Sequence, residues 1–231
     1  MTTVEGLFGA GDAVGGTPHA FSSGSFTEGR LAAKAACKYI DDGKAEGIVV
    51  SDAQVERRRK EIYRPLEHYR VYRNAVVAGS VNPHYINPQQ GLDRLQKLMD
   101  EYCGGYTVGY MTNEKLLSIC LKKLAIMEED LDSVAAKDLH ELLRAWELKH
   151  RHCAAEFVTQ HTLFRKETRW PGYYYRGDAM KVDDENWHVL TVSRRDPQTG
   201  EYEMEKAPCY HLIEDEEQAA RSDGAQRKQT A

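Results

Sequence analysis

Apolar residues recur at helical spacing through the middle of the chain, and three stretches carry the pattern regularly. Leu92, Leu95, Leu98 and Met99 share one face of residues 91–102. Leu116, Leu117, Cys120, Leu124, Met127 and Leu131 form the stripe of a second helix, which Thr112 can cap. Leu139, Leu142, Leu143, Trp146, Cys153 and Phe157 give a third over residues 136–160. Stripes of this width predict the core of a helical bundle. Ahead of them, Ser51-Asp52-Ala53-Gln54 is a capping-box pattern that opens a strongly charged helix running to about Arg64, before Pro65. Residues 82–88 read as a loop, because two prolines and two asparagines break any period. Past Thr162 the period shortens. Residues 187–192 alternate like a strand, 196–200 form a turn, and 201–205 can pair back as a hairpin. From about Ile213 the chain is polar and aperiodic, which predicts a disordered tail over 213–231.

The first fifty residues follow another plan. Residues 5–12 read as a short apolar strand running into a glycine turn, and 25–42 as a helix stopped by Gly43. Ala32, Ala33, Ala35 and Ala36 would let that helix pack closely against a sheet or a cofactor. The predicted fold class is therefore α+β: strand and helix first, then a helical bundle, then a small terminal β-hairpin. The boundaries expected are 1–50, 51–162, 163–212 and a tail over 213–231.

Charge and composition narrow the picture. Of 231 residues 41% are hydrophobic, which suits a globular protein, and no apolar run is long enough for a membrane span. The start of the chain lacks a basic region followed by an apolar core, so no secretory signal is read. A net charge of −5 with acids and bases interspersed argues against a nucleic-acid surface, and Glu56–Glu61 reads as a solvated helix face. Five cysteines are scattered without a C-x-x-C pair. That suits the reducing cytoplasm and excludes an iron–sulfur cluster held by local cysteines. His150 and His152 stand two apart in a predicted helix and face different sides, which disfavours metal ligation.

The candidate chemistry lies near the start. Gly6-Leu7-Phe8-Gly9-Ala10-Gly11-Asp12 ends an apolar run on a carboxylate, and the loop after His19 carries Ser22, Ser23, Gly24, Ser25 and Phe26 into the first helix. This layout brings backbone N–H groups and a helix N-terminus, with about half a positive charge, close to an electron-rich ligand. Asp12 can accept from a hydroxyl.

These residues resemble the second, C-terminal flavin-binding motif of the fumarate reductase and succinate dehydrogenase flavoprotein family. Residues 165–176 (Arg-Lys-Glu-Thr-Arg-Trp-Pro-Gly-Tyr-Tyr-Tyr-Arg) and 182–187 resemble that family's arginine/glutamate segment after its helical bundle. The resemblance covers the chain to about residue 212. It implies FAD as cofactor, with Gly11, Asp12, Ser23, Gly24, Ser25 and Phe26 binding it. Asp12 would take a ribityl hydroxyl, Gly11, Gly15 and Gly16 would let the backbone approach, and His19 would contact substrate.

One departure is informative. Dicarboxylate enzymes of the family follow this histidine with Gly-Ala-Asn-Arg-Leu-Gly, whose arginine grips a carboxylate; here Ala20-Phe21-Ser22-Ser23-Gly24 follows, without arginine. The form resembles the family's sulfonucleotide branch, which reduces adenylylsulfate to sulfite and AMP or runs the reverse. Electrons in that branch pass through a separate iron–sulfur beta subunit. Alternatives are another member of the family acting on a different small acid, and a non-catalytic structural or interaction fragment. Arg165, Glu167 and Arg169 read either as a buried ion-pair network tying the bundle to the flavin segment or as part of an anion site, and their spacing favours internal pairing. No strand-associated G-x-G-x-x-G is present to hold the FAD pyrophosphate; Gly9-Ala10-Gly11-Asp12-Ala13-Val14-Gly15 is only a loose form of it. The chain is therefore expected to be a fragment that binds FAD weakly by itself.

Overall fold

The computed structural model describes residues 1, 2, 4–14, 22–47, 49–75 and 82–209. The chain divides into two compact units, Met1–Ile62 and Tyr63–Ala231.

In the first unit, helix α1 (Ser22–Asp41) packs against a single 3₁₀ turn at Gly11–Ala13. The α1 helix ends in a Schellman arrangement: Lys44 N–H donates to Tyr39 O at 3.2 Å and Gly43 N–H to Ile40 O at 2.9 Å. Gly43 thus stops the helix as its sequence predicts. Tyr39 is buried, stacks edge-on against Phe8 at 6.0 Å and donates its hydroxyl to Glu5 Oε1 at 3.2 Å. These contacts tie the chain start to α1. The run expected as a strand over 5–12 is not one. It has no ladder partner among the described residues, and a segment without a partner has nothing to pair its N–H and C=O groups.

Helix α2 (Asp52–Tyr72) starts where the Ser51–Gln54 pattern places it, with Gln54 Oε1 accepting from Ser51 N–H at 2.8 Å. It does not end before Pro65, and the boundary between the two units falls inside it. Proline removes one helical hydrogen bond. The part of α2 beyond it is held within the second unit: Arg64 pairs with Asp132, Ala136 N–H donates to Pro65 O at 3.0 Å, and Tyr69 packs on Tyr85 at 5.8 Å. Tertiary contacts override the local break.

The core of the second unit lies among α3 (Pro88–Tyr102), α4 (Glu114–Leu131) and α5 (Leu139–Phe164). Asn87 and Gln90 form a complete capping box, with Pro88 as the first residue of α3, so this helix begins three residues earlier than its apolar stripe suggests. Gly91 lets α3 approach α5, because a Cβ there would lie 2.3 Å from Leu148 Cδ2. The α4 stripe buries Leu117, Cys120, Leu124 and Met127 as predicted. Its cap is Asn113, whose side chain accepts from Leu116 N–H at 2.9 Å, and not Thr112. Thr112 is fully buried instead, with its hydroxyl donating to Tyr102 O at 2.7 Å.

The predicted face of α5 is partly out of phase. Leu139, Leu143 and Cys153 are exposed, while Ala145, Leu148, His152, Glu156 and Thr159 are buried beside Leu142. Buried polar residues hid the true face, and each has a partner: His152 Nε2 lies 2.8 Å from Leu124 O, and Thr159 donates to Ala155 O at 2.7 Å.

Two small sheets complete the unit. Strands β1 (Met111–Thr112) and β2 (Tyr175–Arg176) pair in parallel. After the single turn of α6 (Asp184–Trp187), β3 (Val189–Arg195) and β4 (Tyr202–Pro208) form the predicted antiparallel hairpin. Its inner residues reach α5, where the His161 ring nitrogens meet Thr191 Oγ1 and Ser193 Oγ, each at 2.9 Å.

Candidate functional site

The residues singled out near the chain start assemble around the first turns of α1. Because α1 begins at Ser22, Ser23, Gly24, Ser25 and Phe26 lie inside its first turns and do not form a loop ahead of a helix at residue 25. Ser25 is thus not an N-cap. The N–H groups of the first turn of an α-helix lack a partner within the helix, and here those of Ser22, Ser23 and Gly24 are among them.

Gly11 is buried at φ +66, and a Cβ there would lie 3.0 Å from Ser25 Oγ and 3.3 Å from Ser25 Cβ. Only glycine suits that position, on backbone angle and on space. Gly11 N–H donates to Glu28 Oε2 at 2.7 Å, so the turn is clipped to the second turn of α1. Glu28 is a site residue that the sequence did not reveal, because a lone glutamate on a charged helix carries no spacing signal.

Asp12, next to this clip, is exposed, as are Ser23 and Phe26 (81%), whereas Gly24 and Ser25 are half-buried. The structure therefore brings together Gly11, Asp12 and the first turn of α1. His19, Gly15 and Gly16 lie outside the described residues. The first turn of α1, the solvent-facing carboxylate of Asp12 and the close backbone approach that Gly11 allows fit the polar edge of a flavin with its hydroxylated chain.

The arginine/glutamate segment is a second polar centre, in the other unit. Glu167 is fully buried and accepts from Arg165 Nη1 at 2.5 Å, Arg169 Nε at 2.6 Å and Nη2 at 2.9 Å, and Asp183 N–H at 2.9 Å. Burial pushes its carboxyl upward, but the arginines and the Asp183 amide outweigh that and hold it below the usual range. Arg176, 1% exposed, closes the end of α5 by donating to the carbonyls of Thr162, Leu163 (3.2 Å) and Arg165 (2.8 Å). It also holds Asp178 in a fork at 2.9 and 3.0 Å. That hydrogen bonding lowers the Asp178 carboxyl to about 2. All of these partners belong to the second unit, so the pairing is internal, as the spacing favours, but it braces α5, β2 and α6 and is not the expected tie between the bundle and the flavin segment. Arg176 was missed as its keystone.

A cavity of about 240 Å³ between α3 and α4 is lined by Arg94, Lys97, Lys123, Tyr102 and Ile126 among others. Its cations are already engaged: Arg94 with Asp130, Lys97 with Glu101, and Lys123 over the Tyr102 ring. Among the described residues no cluster of three or more His, Cys, Asp or Glu side chains could hold a metal ion. No described helix is long and apolar enough to cross a membrane.

The chain resembles known proteins throughout. Over 214 residues it is 41% identical to the adenylylsulfate reductase subunit alpha of Megalodesulfovibrio gigas, a match that covers 92% of this chain and 32% of that protein. The structure of an adenosine-5-phosphosulfate reductase in complex with sulfite as a covalent adduct superposes with a TM-score of 0.87 at 52% identity, over 93% of this chain and 33% of the other. Adenylylsulfate reductase from Archaeoglobus fulgidus gives a TM-score of 0.84 at 51% identity, over 89% and 32%. The chain thus spans about a third of the length of these relatives. Residues 92–220, more than half of the sequence, match the family described as fumarate reductase flavoprotein C-term. With its bundle, its arginine/glutamate brace and its hairpin in that order, the chain belongs to the fumarate reductase flavoprotein C-terminal family.

Proposed function

We propose that this chain is the C-terminal portion of an adenylylsulfate reductase alpha subunit, and that the whole subunit reduces adenylylsulfate to sulfite and AMP with FAD, or runs the reverse. The observation that carries this reading is 41% identity to such a subunit across 92% of the chain, well beyond a shared fold. The missing arginine after His19 supports it, since a dicarboxylate substrate would lack its clamp.

FAD, when bound, supplies the two-electron chemistry. The chain's own residues supply position and charge. Gly11 keeps the backbone low enough for close approach, and Asp12 accepts a hydroxyl of the ribityl chain. The first turn of α1, where Ser23, Gly24, Ser25 and Phe26 lie, turns the N–H groups of Ser23 and Gly24 toward developing negative charge. His19 donates to the anionic group of the substrate and orients it. Residues 1–50 are the flavin-domain segment, 51–162 the helical domain, 163–212 the terminal β element and 213–231 a tail. The exposed Leu31, Ile40, Val49 and Val50 of the first unit give the rest of the flavin domain an apolar face to cover. An iron–sulfur beta subunit carries the electrons, and the enzyme works in the cytoplasm.

The test is AMP-dependent oxidation of sulfite, with ferricyanide as acceptor, by the whole subunit paired with its beta subunit. Turnover is expected with sulfite and AMP, and a His19→Ala subunit should lose most of it while keeping its FAD. Turnover of succinate in place of sulfite would overturn the reading.

A further inference from the structure

Cys103 and Cys120 meet at a point that the flavin site does not use. Cys103 is the C-cap of α3, Cys120 lies in the middle of α4, and between them stands Thr159 of α5. Each Sγ is 3.7 Å from Thr159 Oγ1. The Thr159 hydroxyl already donates to Ala155 O at 2.7 Å, so toward the thiols its oxygen can only accept. One oxygen therefore draws both sulfurs to the same point. Their environments differ. Cys120 is fully buried, against Met99 Sδ at 4.0 Å, whereas Cys103 is only half-buried and is followed by Gly104 and Gly105. A reagent can reach one sulfur, and the sheltered sulfur waits behind it. The other cysteines lack this arrangement: Cys37 and Cys153 are exposed singly, and Cys209 ends the hairpin.

We propose that Cys103 and Cys120 are a dithiol pair that a low-molecular-weight disulfide converts into an intrachain disulfide joining α3 to α4. The Cys103 thiolate attacks one sulfur of the small disulfide, forms a mixed disulfide and expels one thiolate, which takes up a proton as free thiol. Cys120 then gives up its proton and attacks Cys103 Sγ. The Cys103–Cys120 bond forms, the mixed disulfide breaks, and the second small thiol departs. The two cysteines lose two electrons and two protons, and the small disulfide gains both. The order of attack follows from the pair itself. The Cys120 thiol beside it brings the Cys103 thiol down to about 7, so its thiolate is present near neutral pH. The neighbouring Cys103 thiol, followed by burial, pushes Cys120 up, so it acts second. The product is uncharged and replaces two polar hydrogens in an apolar core.

The full chain with Cys37→Ser, Cys153→Ser and Cys209→Ser would be equilibrated with mixtures of oxidised and reduced glutathione, then acid-quenched, alkylated and mapped by mass spectrometry. Both thiols should disappear together, with a linked Cys103–Cys120 peptide and no lasting glutathione adduct. Adding Cys120→Ser should trap glutathione on Cys103. Adding Cys103→Ser should leave Cys120 unreactive until denaturant is added. A stable glutathione adduct on Cys103 with Cys120 present, or a linked peptide seen only in denaturant, would overturn the proposal. So would two thiols that stay alkylatable at the most oxidising ratio while circular dichroism shows a native chain.

Discussion

Arg176 Nε and Nη2 hold both carboxylate oxygens of Asp178, at 2.9 and 3.0 Å, while Nη1 caps the last carbonyls of α5. One buried guanidinium thus ends the longest helix and starts the polar brace after it. Arg176→Met keeps most of the volume but leaves those carbonyls and Asp178 without their donor. Leaving a buried polar group such as these carbonyls without its partner costs about 1–3 kcal/mol, and Asp178, which water reaches, adds little. Urea unfolding followed by circular dichroism should show a loss of that order, and a midpoint unchanged from the parent chain would contradict it.

The same brace sets an acid limit. Asp178 titrates at about 2 in the folded chain, against about 3.9 when unfolded. Glu167 is likewise lowered, with its burial outweighed by the arginines and the Asp183 amide. Groups lowered on folding contribute stability that is fully present above their unfolded values and lost as pH falls through the folded ones. Stability should therefore decline from about pH 4 toward pH 2. Asp178→Asn should flatten the lower part of that decline, as read by urea midpoints at successive pH values, and a parallel decline in the variant would sink the assignment.

Much of the second unit was legible in the sequence, because its elements announce themselves by period. The α4 stripe and the β3–β4 hairpin needed nothing from elsewhere in the chain. What escaped depends on partners distant in sequence. His152 shows only that it faces away from His150 until Leu124 O is seen beside its ring. Pro65 reads as a helix end until Ala136 and Asp132 are seen to hold the helix beyond it. At the candidate site, Gly11 and the first turn of α1 could be picked out, while the Glu28 clip could not.

The cap of α4 gives a local test of one such correction. Thr112 and Asn113 both have the right chemistry, and adjacent positions are not separable by pattern. The structure assigns the cap to Asn113 through the Leu116 N–H. Asn113→Ala should cost ~1 kcal/mol, the usual value of an N-cap side chain. Asn113→Asp should recover most of it, since aspartate caps as well and suits the helix dipole. A loss that Asp fails to recover would mean that Asn113 acts in some way other than as a cap.

Gly11→Ala tests the flavin-loop site most directly. The substitution forces an L-residue into φ +66, at roughly 1–2 kcal/mol, and sets its Cβ 3.0 Å from Ser25 Oγ. Ser25 must yield or the turn must lift, and either movement loosens the clip between Gly11 N–H and Glu28. The damage should remain local. Hydrogen exchange should rise at Gly11 and across the start of α1, while amides of α3, α4 and α5 keep their protection. In the whole subunit FAD should dissociate more readily, and the double variant Gly11→Ala/Ser25→Gly should recover part of that loss by clearing the collision. Unchanged FAD affinity, with exchange raised at α1, would show that this turn is structural and does not hold the cofactor.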